Sequence, residues 1–156
     1  MSDNHRLVEA ILKQLNDNLL EAQAAADEAR HAATHEESVA ETQYDTLGLE
    51  ASYLAEGQSR RVADIQEAIT QYHQLPHTTF GEDSPITLGA RVTLAQDGTH
   101  KHLFLGPAGG GLEAPDGDVL VTVVTPAAPL GAELIQKYVG DEVHLGQQIW
   151  EIVAVS

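Results

Sequence analysis

Between His35 and Asp45 the chain reads HEESVAETQYD and carries Glu36, Glu37, Glu41 and Asp45. No lysine or arginine occurs between Arg30 and Arg60, so these carboxylates have no cationic neighbour in sequence. Placed near the middle of a long helical pattern, the stretch reads as the acidic tip of a helical hairpin and as its working end; a solvated turn fits the local sequence as well. The eight histidines offer a second chemistry. His31 with His35, His73 with His77 and His100 with His102 have ligand spacing, and Glu36 and Glu37 beside the first pair would complete a Zn²⁺ set. Surface imidazoles compete with that reading, because no H-E-x-x-H motif occurs and the chain has no cysteine. Gly109-Gly110-Gly111 lacks the following Lys-Ser/Thr and the helix start of a phosphate loop, and reads as an ordinary turn. Nothing resembles a nucleophile–base–acid set.

The elements that must position the acidic stretch are legible in the apolar spacing. Val8, Leu12, Leu15, Leu19, Ala22, Ala26, Ala29 and Ala33 fall in a 4-3 alternation without Gly or Pro, the pattern of a helical seam. Asn4 is the candidate cap. Leucines near the amino terminus give way to alanines toward the tip, so the far end should be slim. A second arm carries Leu47, Ala51, Leu54, Val62, Ile65, Ile69 and Tyr72 on one side and stops before Pro76. Thr34-x-x-Glu37 and Ser38-x-x-Glu41 both have capping-box spacing, so either could open it, and the midpoint of the two arms falls near residue 40.

Residues 76–85, PHTTFGEDSP, read as a linker. Beyond it the period changes. Ile86–Leu94, Lys101–Leu105, Val119–Thr125 and Gln148–Val155 have strand composition, Asp97-Gly98 is a hairpin turn, and a short helix is expected over Gly131–Tyr138. Trp150 is expected in the core. The expected class is α+β: a coiled-coil hairpin over 1–75, then a small antiparallel sheet domain with one short helix over 86–156.

Composition narrows the function. A formal charge of −16 with only 8 Lys and Arg argues against strong autonomous nucleic-acid binding and suits a basic partner surface. The opening MSDNHRLVEA lacks an apolar signal core and no apolar run has membrane-spanning length, so a cytoplasmic protein without membrane contact is the expectation.

The stretch VTPAAPLGAELIQKYVGDEV, Val124–Val143, resembles the Gre family of bacterial transcription elongation factors, the transcript-cleavage factors. The family element T-P-x-S-P-x-G-x-A-L followed by G-D-x-V is matched at Thr125, Pro126, Pro129, Leu130, Gly131, Leu134, Gly140, Asp141 and Val143. Leu88–Val92 and Trp150–Val153 resemble the family's first and last strands, and Arg61–Ile65 its R-I-x-E-L element in the second coil arm. The resemblance covers most of the chain.

It implies a coiled-coil hairpin joined to an FKBP-like domain that docks at the rim of the secondary channel of RNA polymerase, through Pro126, Ala128, Pro129, Leu130, Gly131 and Asp141. It also implies that two tip carboxylates help hold a second Mg²⁺ in the polymerase active centre, where hard oxygen ligands suit the ion. The polymerase remains the catalyst, the factor is no enzyme by itself, and nascent RNA is met only indirectly, with Arg60 and Arg61 as the RNA-facing candidates. The family tip D-L-x-E-N-A-E-Y has its carboxylates three residues apart. Counting back from Arg61 puts Glu41 on the aspartate's place, Tyr44 on the glutamate's and Asp45 on an asparagine. The pair would then be Glu41 and Asp45, four apart on one helical face, with Glu36 and Glu37 as alternates. The family's S-P serine is Ala128, and a glycine usual after the short helix is Gln136. A regulator that occludes the channel without cleavage is the alternative. An FKBP-like prolyl isomerase is a weaker third reading, since few aromatics follow Tyr72 to line a pocket.

Overall fold

The computed structural model describes the backbone of residues 4–39 and 46–156, and side chains outside 35–48. Two helices, α1 (Asn4–Val39) and α2 (Thr46–His73), precede β1 (Arg91–Gln96), β2 (Thr99–Leu105), β3 (Glu113–Asp116), β4 (Val119–Val124), α3 (Pro129–Leu134), β5 (Glu142–Leu145) and β6 (Gln148–Val155). The chain forms two compact units, Gln14–Ile69 and a second made of Met1–Lys13 with Thr70–Ser156. No described helix is long and apolar enough to cross a membrane.

In the helical unit, small residues decide the packing. Ala22, Ala26, Ala29 and Ala33 of α1 and Ala55 of α2 are buried. Gln23, Ala26, Asp27 and Arg30 share a groove with Ser59 and Val62, so residues about equally far from the connection face each other, as in an antiparallel pair. Alanine side chains let two helices approach closely, and alanine is also the strongest helix former. The seam departs from the expected one in α2, where Ala55 is buried and Leu54 is 56% exposed. Ala55 lies one full turn after Ala51 and one before Ser59, so the inner stripe runs through 51, 55, 59 and 62 and leaves Leu54 about a quarter-turn outside it. Neither capping-box candidate opens the second arm: Thr34 and Ser38 lie inside α1, and α2 starts at Thr46.

In the other unit the first turns of α1 bury Leu7 and Ile11 in place of the expected Val8 and Leu12, which line a cavity. Asn4 is not a cap through its side chain. Its amide nitrogen instead donates to the carbonyls of Gly89 (3.0 Å) and Ser156 (2.8 Å). That pair of bonds fixes which face of the helix turns inward. Tyr72, near the end of α2, donates its hydroxyl to the Ala108 carbonyl at 2.7 Å, and burial holds that phenol well above its ordinary pKa. The 76–85 stretch has no helix or strand, yet Phe80 from it is buried in the core.

The sheet has six strands in the order β3-β4-β2-β1-β6-β5. All pairs are antiparallel except β2 with β4, where Leu103, Phe104 and Leu105 lie beside Thr122, Val123 and Val124 in parallel. The expected antiparallel sheet therefore holds in every pair but that one. β3 and β4 form a hairpin of their own, which brings β4 back to β2 in the same direction. Asp97 and Gly98 form the β1–β2 turn, both with positive φ (48° and 81°), as a two-residue type I′ loop requires. Ile86 is fully buried but precedes the strand: its backbone exchanges hydrogen bonds with Gln136 and Lys137. The main core gathers Val92, Leu94, Leu103, Leu105, Leu134, Val143 and Ile152 on one face. Trp150 belongs to it, as expected, with Lys101 Nζ 5.2 Å from the ring centroid. Phe104 is buried on the opposite face with its lateral neighbour Val123.

Candidate functional site

The acidic stretch straddles the connection between the long helices. Glu36 and Glu37 lie in the last turns of α1, whose backbone is helical through Val39. Glu41 and Asp45 fall outside the described residues, and so does the apex of the turn. Of the two RNA-facing candidates, Arg60 is exposed and bonds Glu56 one turn back at 3.2 Å, while Arg61 is exposed on the neighbouring position. An Arg30–Asp27 pair holds the corresponding cation of α1. The basic groups nearest the connection thus sit within acid–base pairs along the helices. The charge of the connection itself is carboxylate alone.

The docking candidates gather at the start of α3 and at the turn after it. Ala128 is extended (φ −81°, ψ 150°) and is the N-cap of α3, with no side-chain bond to the helix. Pro129 follows as the first helical residue, where its missing N–H costs nothing. Ala128 N–H donates to the Thr125 carbonyl at 3.0 Å, and the Ala128 carbonyl accepts from Ala132 N–H at 2.9 Å. Gly131 lies so close to Thr125 that a Cβ there would overlap the Thr125 carbonyl. Pro126 and Leu130 are partly buried, with Leu130 packed on the core. Asp141 accepts a bond from Tyr138 N–H at 2.8 Å while its own backbone pairs with Ile152, so its carboxylate fastens a turn.

The short helix ends earlier than expected, at Leu134 rather than Tyr138. Ile135 leaves the helical region, and Gln136 takes φ +66°, the left-handed conformation that favours glycine. The two departures from the family pattern therefore occupy the two ends of α3. A serine at 128 would supply the missing cap, and a glycine at 136 would relieve the left-handed position. Ala128→Ser and Gln136→Gly are each expected to stabilise the protein by about 1 kcal/mol, read as a rise in the midpoint of urea unfolding at unchanged slope.

Among the described residues, no group of three or more His, Cys, Asp or Glu is placed to hold a metal ion. His31 is exposed, and the side chain of His35 is outside the described set. His100 and His102 stack with ring centroids 6.4 Å apart. The Arg91 guanidinium lies 3.5 Å from His102 Nδ1 and pairs with Asp116 at 2.6 Å, a partly buried ion pair tying β1 to the edge hairpin. Desolvation first, then the charges of Arg91 and His100, lower the His102 pKa from its usual 6.5, against a smaller opposing pull from Asp116. The unfolded chain therefore binds the proton at a higher pH than the folded one. Stability should fall as pH drops below 6.5 toward the folded value and be unaffected by this group above 6.5. A His102→Asn variant should lose less stability than the parent between pH 7.5 and 5.5 in paired urea titrations.

His5 pairs with Glu9 one helical turn later, a spacing visible in the sequence, with Nε2 3.1 Å from Glu9 Oε1. His73 and His77 line the same cavity as these two.

No protein-family model matches the chain, and no curated protein does. Solved structures do. GreA factor homolog 1 (Gfh1) of Thermus thermophilus is 21% identical over 93% of this chain and 94% of its own, with a TM-score of 0.39. A second structure of the transcription factor Gfh1 gives 17% identity, 94% and 93% coverage and the same TM-score of 0.39. Thermus aquaticus Gfh1 gives 20% identity, 98% and 94% coverage and a TM-score of 0.35. Each likeness spans nearly the whole of both chains.

Proposed function

We propose that the chain is a Gre-type transcription elongation factor that binds RNA polymerase at its secondary channel. The observation that carries this reading is the local fold of Thr125–Asp141. The motif glycine, Gly131, is the residue pressed against the Thr125 carbonyl, and the motif aspartate fastens the turn before β5. Those residue types are what that backbone requires, so the motif match rests on structure as well as on letters.

In this reading the rim contact is made by the surface around Pro126, Pro129 and Asp141, and the acidic connection between α1 and α2 is the working end. Glu41 and Asp45, with Glu36 and Glu37 as alternates, lend carboxylate oxygens to the polymerase's active centre. Carboxylate is the donor Mg²⁺ favours, and an ion held there lowers the pKa of a water and orients it toward RNA. The chain itself binds, positions and supplies charge; the polymerase catalyses. Arg60 and Arg61 lie on the outward side of α2 and are the groups offered to the transcript. The charge of −16 fits insertion beside basic surfaces of a partner that handles nucleic acid.

One observation favours a second reading. The acidic pair is four residues apart rather than the family's three, so both carboxylates need not reach one ion. The factor would then occupy the channel and inhibit without cleaving. Incubating the protein with a purified backtracked elongation complex and Mg²⁺ separates the two. Shortened RNA that can be re-extended supports cleavage, inhibition with intact RNA supports occlusion, and no binding overturns both.

A further inference from the structure

Leu49, Tyr53 and Gly57 succeed each other at four-residue steps, so they follow one line along α2. That line points away from the seam, because the buried Ala55 lies roughly 200° around the helix from Tyr53. Leu49 is 55% exposed and Tyr53 65%. Single exposed apolar side chains are ordinary, but here two large ones stand on consecutive turns, with exposed Leu54 on their flank. Gly57 is harder to account for. A helix interior disfavours glycine relative to alanine, yet its φ is not left-handed and no described atom lies within 4 Å of where a Cβ would sit. Neither turn geometry nor packing among the described residues asks for a glycine there. Its bare backbone does offer a notch, one turn beyond Tyr53, into which another surface can press.

We propose that Leu49, Tyr53 and Gly57 form a docking stripe for an apolar patch of RNA polymerase bordered by lysine or arginine; this rests on the reading of the chain as a polymerase-binding factor. Charge chooses the occupant. Residues 31–59 hold six carboxylates and no Lys or Arg, and Glu50 and Glu56 flank the stripe on either side. A second copy would bring the same acidic border and be repelled, and so would the phosphates of a nucleic acid. Arg60, the cation next along this face, is already paired with Glu56. An apolar patch with a basic rim suits both parts of the stripe: Leu49 and Tyr53 lose water at its centre, and the acids beside them meet cations at its edge. Tyr53 is the anchor, since a tyrosine brings a large rigid contact area with few torsions to freeze. This contact is distinct from the metal-ligand role proposed for the carboxylates of 36–45 and from the rim contact of Thr125–Asp141.

The test measures the affinity of the full chain for core RNA polymerase free of nucleic acid, by isothermal titration calorimetry. Leu49→Gln and Tyr53→Gln should each weaken binding by about tenfold, with the thermal midpoint of the free chain unchanged. Gly57→Gln is the more telling variant. Glutamine is the better helix former, so the midpoint should rise while affinity falls by about tenfold. Leu20→Gln, which removes a similarly exposed leucine from α1, should bind as the parent does. Parental affinity in any of the three stripe variants overturns the stripe and leaves the polymerase reading intact, whereas no binding by the parent overturns both. Losses seen only with a transcript-bearing complex assign the face to RNA, and an oligomer of the parent that the variants dissolve assigns it to a second copy. Either result overturns the proposal.

Discussion

Replacing Glu41 and Asp45 together by alanine is expected to lower stimulated transcript cleavage by on the order of 100-fold, the scale on which preorganised electrostatic contacts are lost from active sites. Binding to the polymerase should be unchanged. The expectation follows from where the charges sit. The two residues belong to the lysine- and arginine-free stretch, far in sequence from the Thr125–Asp141 element proposed to dock. A purely electrostatic role in a long-range attraction would instead spread the loss over all the acids, with each single change costing little. A ligand role concentrates it: Glu41→Ala and Asp45→Ala should each cost nearly as much as the double change, because groups that act as a unit are not additive.

The same series resolves the register. If Glu36→Ala and Glu37→Ala carry the loss and Glu41→Ala does not, the apex lies nearer the end of α1 and the alternates are the working pair. Cleavage that is stimulated normally by all four variants would sink the metal-ligand assignment. Under the occlusion reading the outcome differs in kind: no variant cleaves, and inhibition survives the alanines because blockage depends on the bulk of the helices. Re-extension of the product RNA distinguishes true cleavage from dissociation.

The parts of this fold that could be read from sequence are those with a local cause. Asp97-Gly98 announced its hairpin because only residues tolerant of positive φ can make that turn, and Gln148–Val155 announced β6 through apolar and β-branched side chains. β3 stayed hidden because EAPD has no apolar alternation and contains Pro115, tolerated only since this strand lies at the sheet edge. β5, of four residues, was too short to show a period. The parallel pairing of β2 with β4 has no local signature at all; it follows from where the β3–β4 hairpin docks. Leu7 and Ile11 displaced Val8 and Leu12 for a similar reason, since helix orientation there is set by the bonds of Asn4 to Gly89 and Ser156, 85 and 152 residues away in sequence.

For the candidate sites the division is the same. The acids of 36–45 and the Val124–Val143 motif were legible as letters. That Ala128 is an uncapped helix start and Gln136 a left-handed residue needed backbone angles. His5 and Glu9 had helical spacing in plain view, but only the fold could bring the His77 ring to 5.9 Å from that of His5.

Gly131→Ala is expected to destabilise the sheet-bearing unit by roughly 3 kcal/mol, the upper part of the range for added atoms in packed sites. Two features together set the cost at this glycine. Its φ is not in the left-handed region, so the cost comes from contact and not from backbone preference. The contact is with backbone, namely the Thr125 carbonyl and the Pro126 nitrogen, which no side-chain rotation can clear. Relief requires moving α3 away from the end of β4. That motion would pull Leu134 from the core and disturb the hydrogen bond from Ala128 N–H to Thr125 O, which holds the helix start. Gly57→Ala is the matched control, because open space surrounds its Cβ position in α2 and alanine is the better helix former, by about 1 kcal/mol. Thermal unfolding should therefore move in opposite directions for the two variants, down for Gly131→Ala and up for Gly57→Ala. If Gly131→Ala melts with the parent, the close approach is not a constraint, and the glycine of the T-P-x-S-P-x-G element must be explained by something the partner requires. If it is destabilised and polymerase binding weakens with it, the rim surface depends on α3 being seated against Thr125. Adding Gln136→Gly should then recover part of the lost stability without restoring binding, since it relieves the far end of the helix and leaves the overlap at its start in place.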